Sequence, residues 1–120
     1  MTRERIALGK AAERAAEDYL SGKGFRVLDR GWRTRFGEVD LVALDGDTLV
    51  FVEVKARSSG AFGPAEAAVH ARKQGRIARA ALAYLQRRRH DGPVRFDVVA
   101  FQDGAVRHIE GAFCAQGWTR

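Results

Sequence analysis

Two segments near the middle of the chain constrain the fold most. Val39 to Leu44 and Leu49 to Lys55 are rich in Val, Leu and Phe, and both faces of each are largely apolar. In the first, Val39, Leu41 and Ala43 alternate with Val42 and Leu44; in the second, Val50, Val52 and Val54 alternate with Leu49 and Phe51. A strand that is apolar on both faces belongs in a sheet covered on both sides. Between them, Asp45-Gly46-Asp47-Thr48 is turn chemistry, so the pair reads as a hairpin. A two-residue loop with Gly46 first, as a type II′ turn prefers, pairs Asp45 with Thr48.

The rest of the chain must supply the two covers. Residues 4–22 read as a helix with Leu8, Ala12, Ala15, Ala16, Tyr19 and Leu20 on one face, stopped by Gly22 and Gly24. Residues 72–89 form a second helix with an apolar stripe of Ile77, Ala78, Ala81, Leu82 and Leu85; Arg72, Arg76, Arg79 and Arg87 lie on its other side. Pro64 suits the start of a short helical turn over 65–70. Phe25 to Asp29, Arg95 to Phe101 and Val106 to Ile109 read as further strands, the last two joined at Asp103-Gly104. The expected architecture is α/β: a central mixed sheet flanked by helices, in the order α-β-β-β-α-β-β. No repeat or linker divides the chain, so residues 1–120 read as one domain, with apolar residues in 111–120 forming a tail suited to dimer packing.

Against this background four polar residues are out of place. Glu38, Asp40, Glu53 and Lys55 sit at the hairpin end away from the turn, on strands otherwise built for burial. Counting back from Asp45 and Thr48 sets Asp40 opposite Glu53 and Glu38 opposite Lys55. An Asp45-Gly46 loop would instead oppose Glu38 and Glu53, with the same four residues still on one face. Two carboxylates side by side on a covered sheet repel each other and need a cation. Lys55 can neutralise one; a hard divalent ion such as Mg²⁺ or Mn²⁺ can satisfy both with oxygen ligands. Glu13, at the border of the first helix's apolar stripe, is a third acid within reach if that stripe packs on the sheet. An exposed strand end closed by a salt bridge is the plainer reading of the same residues.

Composition then limits the partners. Lys and Arg number 21 against 15 Asp and Glu, a formal net charge of +6, and most of the bases are Arg. Arg pairs bidentately with phosphate, which points to nucleic acid, although base composition of a genome also shapes Arg content. The longest apolar run, Ala80 to Leu85, is far short of a membrane span, so no membrane partner is expected. The residues MTRERIALGK lack the apolar stretch of a signal peptide, and the single Cys114 can form neither an internal disulfide nor a Cys-type zinc site. A cytoplasmic address is expected.

Asp40 followed after a gap by Glu53-Val54-Lys55 resembles the PD-(D/E)xK signature of restriction-endonuclease-like nucleases. The wider pattern resembles the YraN family of bacterial proteins, itself similar to archaeal Holliday-junction resolvases. The matching stretches are Gly9 with Ala12-Glu13, Gly37-Glu38-Val39-Asp40-Leu41-Val42, Phe51-Val52-Glu53-Val54-Lys55-Ala56-Arg57, Phe62-Gly63-Pro64, Lys73 and Arg95-Phe96-Asp97-Val98-Val99. Val39 stands where the superfamily signature has Pro, and Ala12 where the family often has Gly.

The resemblance implies a restriction-endonuclease-like fold and a metal-dependent nuclease acting on structured or branched DNA. It makes Asp40 and Glu53 metal ligands, with the Val54 carbonyl as a third oxygen and Glu13 as the added helix acid. Lys55 would orient or activate the attacking water, so the catalytic set is Glu13, Asp40, Glu53 and Lys55. Arg33, Arg35, Arg57 and Lys73 flank this set as candidate nucleic-acid contacts. Symmetric cutting of two strands would need a homodimer. Two other functions stay open: a nucleic-acid-binding module of the same fold without hydrolysis, and an adaptor whose basic surface binds an acidic protein. Asp97 reads as an internal hydrogen-bonding partner. Glu17 and Asp18 read as solvated, Trp32 and Trp118 as packing residues, and Cys114 as a buried small apolar group. His70, His90 and His108 show no metal spacing.

Overall fold

The computed structural model describes residues 3–57 and 71–114, with side chains for 9–56 and 72–114. Helix α1 (Arg3–Gly22) leads into strands β1 (Arg26–Arg33), β2 (Glu38–Asp45) and β3 (Thr48–Arg57). Helix α2 (Ala71–Arg87) precedes β4 (Val94–Gln102) and β5 (Ala105–Phe113). The five strands form one mixed sheet in the order β1-β2-β3-β4-β5. Only β3 and β4 run parallel, because α2 lies between them and returns the chain to the same end; the other neighbours are antiparallel. This is the expected element order and sheet type. Among the described residues no helix is long and apolar enough to cross a membrane. The helical turn expected over 65–70, the Phe62-Gly63-Pro64 match, His70 and Trp118 lie outside the described residues.

The central hairpin takes the first of the two registers that the turn allowed, with Asp45 opposite Thr48 and Leu41 opposite Val52. Gly46 alone of the two turn residues has a positive φ (60°), the type II′ pattern. Each helix covers one face. Ala16 and Leu20 of α1 pack on Leu41, Ala43, Val50, Val52 and Val99. Ile77, Ala80, Ala81, Tyr84 and Leu85 of α2 pack on Val42, Leu49, Phe51, Phe96 and Val98. The alternation of β2 and β3 is thus what two-sided burial requires.

One break in that alternation matters for the site. Arg30 and Trp32 are two residues apart and should share a face. Instead Arg30 grips Glu17 of α1, and Trp32 Nε1 donates to the Ala80 carbonyl of α2 at 2.8 Å. On the paired strand, Leu41 packs on the α1 side and Val39 on the α2 side. The phase changes across Gly31, whose φ of 64° only glycine adopts freely, and across Asp40 beside it. The expected grouping of Val39 with Leu41 and Ala43 is therefore corrected.

Other expectations shift at the margins. Strand β1 runs four residues past Asp29, over a bulge between Val27 and Asp29 that hides its periodicity. The α2 stripe contains Ala80 and Tyr84, and Leu82 is exposed, because the helix presents a face rotated away from Leu82. Ala15 of α1 is exposed for the same reason. Glu17 is not simply solvated, since it holds Arg30. Cys114 is exposed rather than buried, as the residue just past the end of β5. Gly111 to Phe113 continue β5 instead of starting a tail, and Phe113 stacks on Phe96.

Candidate functional site

The backbone ladder between β2 and β3 stops at Leu41 and Val52, one pair short of the expected Asp40–Glu53 opposition. Beyond it, the Val54 N–H donates to Asp40 Oδ2 at 2.8 Å, a side-chain oxygen standing in for a ladder carbonyl. The two strands open at this point, and their polar ends line a hollow of about 380 Å³ with Gly37, Arg72, Lys73, Arg76 and Ile77. Glu38, Asp40 and Glu53 all border it. The hairpin thus carries its acids to the mouth of a cleft between the sheet and the start of α2.

The electrostatics of the cleft are those of crowded acids. Burial, then the nearby charge of Glu53, pushes Asp40 up to about 8 against the pull of the Val54 N–H. Glu53 is buried, and its Oε1 meets Lys55 Nζ at 3.2 Å and Lys73 Nζ at 2.6 Å. Burial, joined by the neighbouring Lys73 cation, holds Lys55 below the usual lysine range. Burial works most strongly against charge on Lys73, but its hydrogen bonds to Glu53 and Lys55 and the charges of Glu53 and Asp40 together raise it. Lys73 belongs inside the site, not only at its rim. Its Glu53 partner lies in a distant strand, so no local pattern in the sequence could assign the pair.

The remaining candidates are spread around the cleft. Glu13 faces a neighbouring hollow with Lys10, Arg14, Glu17, Arg30 and Leu41. Burial, followed by the charges of Glu38 and Glu53, raises its carboxyl, so it feels the cleft without lining it. Arg33 pairs with Glu38 at 3.4 Å. Arg35 is exposed and lies over the ring of Phe36. The Arg57 side chain lies outside the described residues. Asp97 is buried and bound by Arg95, His108 and the Gly111 N–H, the internal role expected of it. Trp32 packs edge-on against Tyr84. Periodicity sets the exposed arginines 72, 76 and 79 on the polar side of α2, and of these Arg72 and Arg76 line the cleft itself.

The donor set fits a hard divalent ion. Asp40 and Glu53 offer carboxyl oxygens at one cleft, and burial beside Glu53 makes a charge on Asp40 costly unless a cation stands near it. Mg²⁺ typically takes one or two carboxylates and fills its other positions with water and substrate phosphate. Among the described residues no three His, Cys, Asp or Glu side chains stand together as a ready-made metal cage.

Comparison with known proteins follows the same stretches. The model of the uncharacterised protein family UPF0102 matches residues 12–101. A UPF0102 protein of Thermodesulfovibrio yellowstonii is 46% identical over 91% of this chain and 97% of its own length. One from Bordetella avium is 48% identical over 91% of this chain and 76% of its own. One from Alkaliphilus oremlandii is 45% identical over 88% of this chain and 97% of its own.

Proposed function

This chain belongs to the uncharacterised protein family UPF0102, the YraN family, and on that premise we propose that it is a metal-dependent endonuclease hydrolysing phosphodiester bonds in structured or branched DNA. The observation that carries this reading is the meeting of Asp40 and Glu53 at one cleft bordered by arginines of α2, with Lys55 paired to Glu53. Asp40 and Glu53 would hold Mg²⁺ or Mn²⁺, with the Val54 carbonyl as a further oxygen and Glu13 as an acid in reserve. The ion would polarise the phosphate and acidify a bound water. Lys55, with its depressed affinity for a proton, handles a proton at Nζ and offsets charge that builds on the phosphate. Lys55 and Lys73 together balance Glu53, and a bound cation would let Asp40 give up its proton beside it. Arg33, Arg35, Arg57 and Lys73 bring the polyphosphate to acids that would otherwise repel it. A homodimer, needed if two strands are cut symmetrically, and a cytoplasmic address belong to the same proposal.

The test is cleavage of four-way junction, flap, single-stranded and duplex DNA with Mg²⁺ or Mn²⁺, beside calorimetric metal titration. Asp40→Ala, Glu53→Ala and Lys55→Ala should each abolish cleavage, and Asp40→Ala should weaken metal binding at least tenfold. Metal binding that is identical in wild type and Asp40→Ala would defeat the metal site. Sedimentation of a strict monomer would defeat symmetric cutting.

A second reading, a nucleic-acid-binding module without hydrolysis, is favoured by one observation. Glu53 is engaged by both Lys55 and Lys73, as a structural ion cluster would have it. DNA binding that weakens steeply with salt, with no substrate cleaved at any metal concentration, would select it.

A further inference from the structure

Phe36 is a large apolar side chain with no core to fill. It sits in the four-residue loop between β1 and β2 and is 41% exposed. Its surroundings are cationic: the guanidinium of Arg35 lies 4.9 Å from its ring centroid and that of Arg79 of α2 lies 5.9 Å away. The loop is braced. Thr34 N–H donates to the Gly37 carbonyl at 2.9 Å, and the Phe36 and Gly37 N–H groups donate to Thr34 Oγ1 at 3.0 and 3.3 Å. Gly37 then presses on α2. A Cβ there would lie 3.1 Å from both the Cβ and the carbonyl oxygen of Arg76. That close approach sets the loop against the helix and holds Phe36 beside the cleft that Gly37 and Arg76 line.

A rigidly presented ring between arginines suits one chemistry. Duplex DNA keeps its bases stacked and offers an exposed aromatic only phosphate and sugar. An unpaired base offers a free π-face, on which Phe stacks while arginines hold the flanking phosphates. We propose that Phe36 is a stacking platform for an unpaired nucleobase of DNA, placed so that the strand running from it enters the Asp40–Glu53 cleft. This rests on the chain's binding nucleic acid, and it narrows the proposed substrate to DNA with an unstacked nucleotide next to the scissile bond. Arg35 and Arg79 serve as phosphate contacts on either side of the platform, together with Arg72 and Arg76 on the same exposed side of α2.

The test is fluorescence anisotropy with the full chain in EDTA, so that no cleavage is required. The probes are a labelled single strand of about 16 nucleotides, a length within reach of one small domain, and the same sequence as duplex. Phe36→Ala should weaken single-strand binding about tenfold, the loss of one stacked base, with duplex binding changed less than about twofold. Phe36→Trp should keep single-strand affinity and show tryptophan quenching, relative to wild type, with the single strand only. Arg79→Ala should weaken both probes alike. Equal loss on both probes for Phe36→Ala, no loss on either, or failure of wild type to bind the single strand overturns the proposal. So does a change of oligomeric state in Phe36→Ala on sedimentation, which would make the ring a contact between copies. Cleavage without selective loss in Phe36→Ala sinks this inference alone. Selective loss without any cleavage sinks the nuclease reading alone.

Discussion

Asp40 shows how a single side chain carries both a cost and a purpose. Its affinity for a proton is raised from an ordinary 3.8 to about 8 by burial and by Glu53. A carboxyl raised on folding favours the folded state only while protonated. That stability is fully present below about pH 4 and is lost as pH rises toward 8. Asp40→Asn keeps an oxygen for the Val54 N–H but carries no charge. Without metal it should therefore be more stable than wild type at pH 8, by about 1 kcal/mol or roughly 4 °C in melting temperature, and lose that advantage near pH 4. Thermal unfolding in EDTA at the two pH values checks this; a variant less stable at pH 8 would mean that Asp40 is a structural anchor. Tyr84 follows the same sign at the alkaline end. Burial, then its hydrogen bond to Asp29 at 2.6 Å, pushes its hydroxyl up to about 12. The stability it contributes is present below pH 10 and lost as pH rises through 12. Tyr84→Phe should cost about 1–2 kcal/mol at pH 7, and the alkaline absorbance titration should lose a late-ionising tyrosine.

At the scale of elements, the hairpin pairs and turns were legible in the chain itself. Gly46 first in a two-residue loop gives the type II′ turn. Asp103 and Gly104 both take positive φ, at 51° and 79°, the type I′ counterpart. Less legible was β1, where a bulge and Gly31 interrupt the period and put Arg30 and Trp32 on opposite helices. Gly31→Ala would force a side chain into left-handed backbone and should destabilise the protein by about 1 kcal/mol. Gly75→Ala, in α2 with open space around it, should instead stabilise by roughly 0.5–1 kcal/mol. Urea denaturation of the pair separates backbone strain from helix propensity. Equal effects would mean that the turn of phase at Gly31 carries no strain.

The whole molecule is tied together on the side away from the cleft. Arg95 binds Asp97 through two hydrogen bonds of 2.8 and 2.9 Å and reaches Asp45 at 3.1 Å, linking β4 to the β2 turn. His108 of β5 meets Asp97 at 2.7 Å through Nε2 and Lys23, after α1, at 2.8 Å through Nδ1. Lys23 can only donate, so Nδ1 accepts and the ring proton on Nε2 goes to Asp97. With both the Asp97 and His108 side chains almost fully buried, Asp97→Ala leaves the imidazole and the Gly111 N–H without their acceptor and should cost about 3 kcal/mol. Chemical denaturation measures it. Because this network is remote from the cleft, the metal affinity of the folded fraction should be unchanged.

The sequence by itself determined the element order, the double-sided burial of the central hairpin, two candidate registers for it, and the concentration of acids and Lys55 at the strand ends away from the turn. These follow from side-chain period and turn chemistry, which act over a few residues. The tertiary structure alone decided that Asp40 leaves the ladder to take the Val54 N–H. It also decided that Lys73 of α2 closes on Glu53, that Glu13 borders a different hollow, and that Phe36 rests under Arg79. Each of these contacts joins residues far apart in the chain or depends on where a glycine turns the strand. Only the twist of the sheet and the seating of a helix upon it bring such groups within hydrogen-bonding or stacking distance.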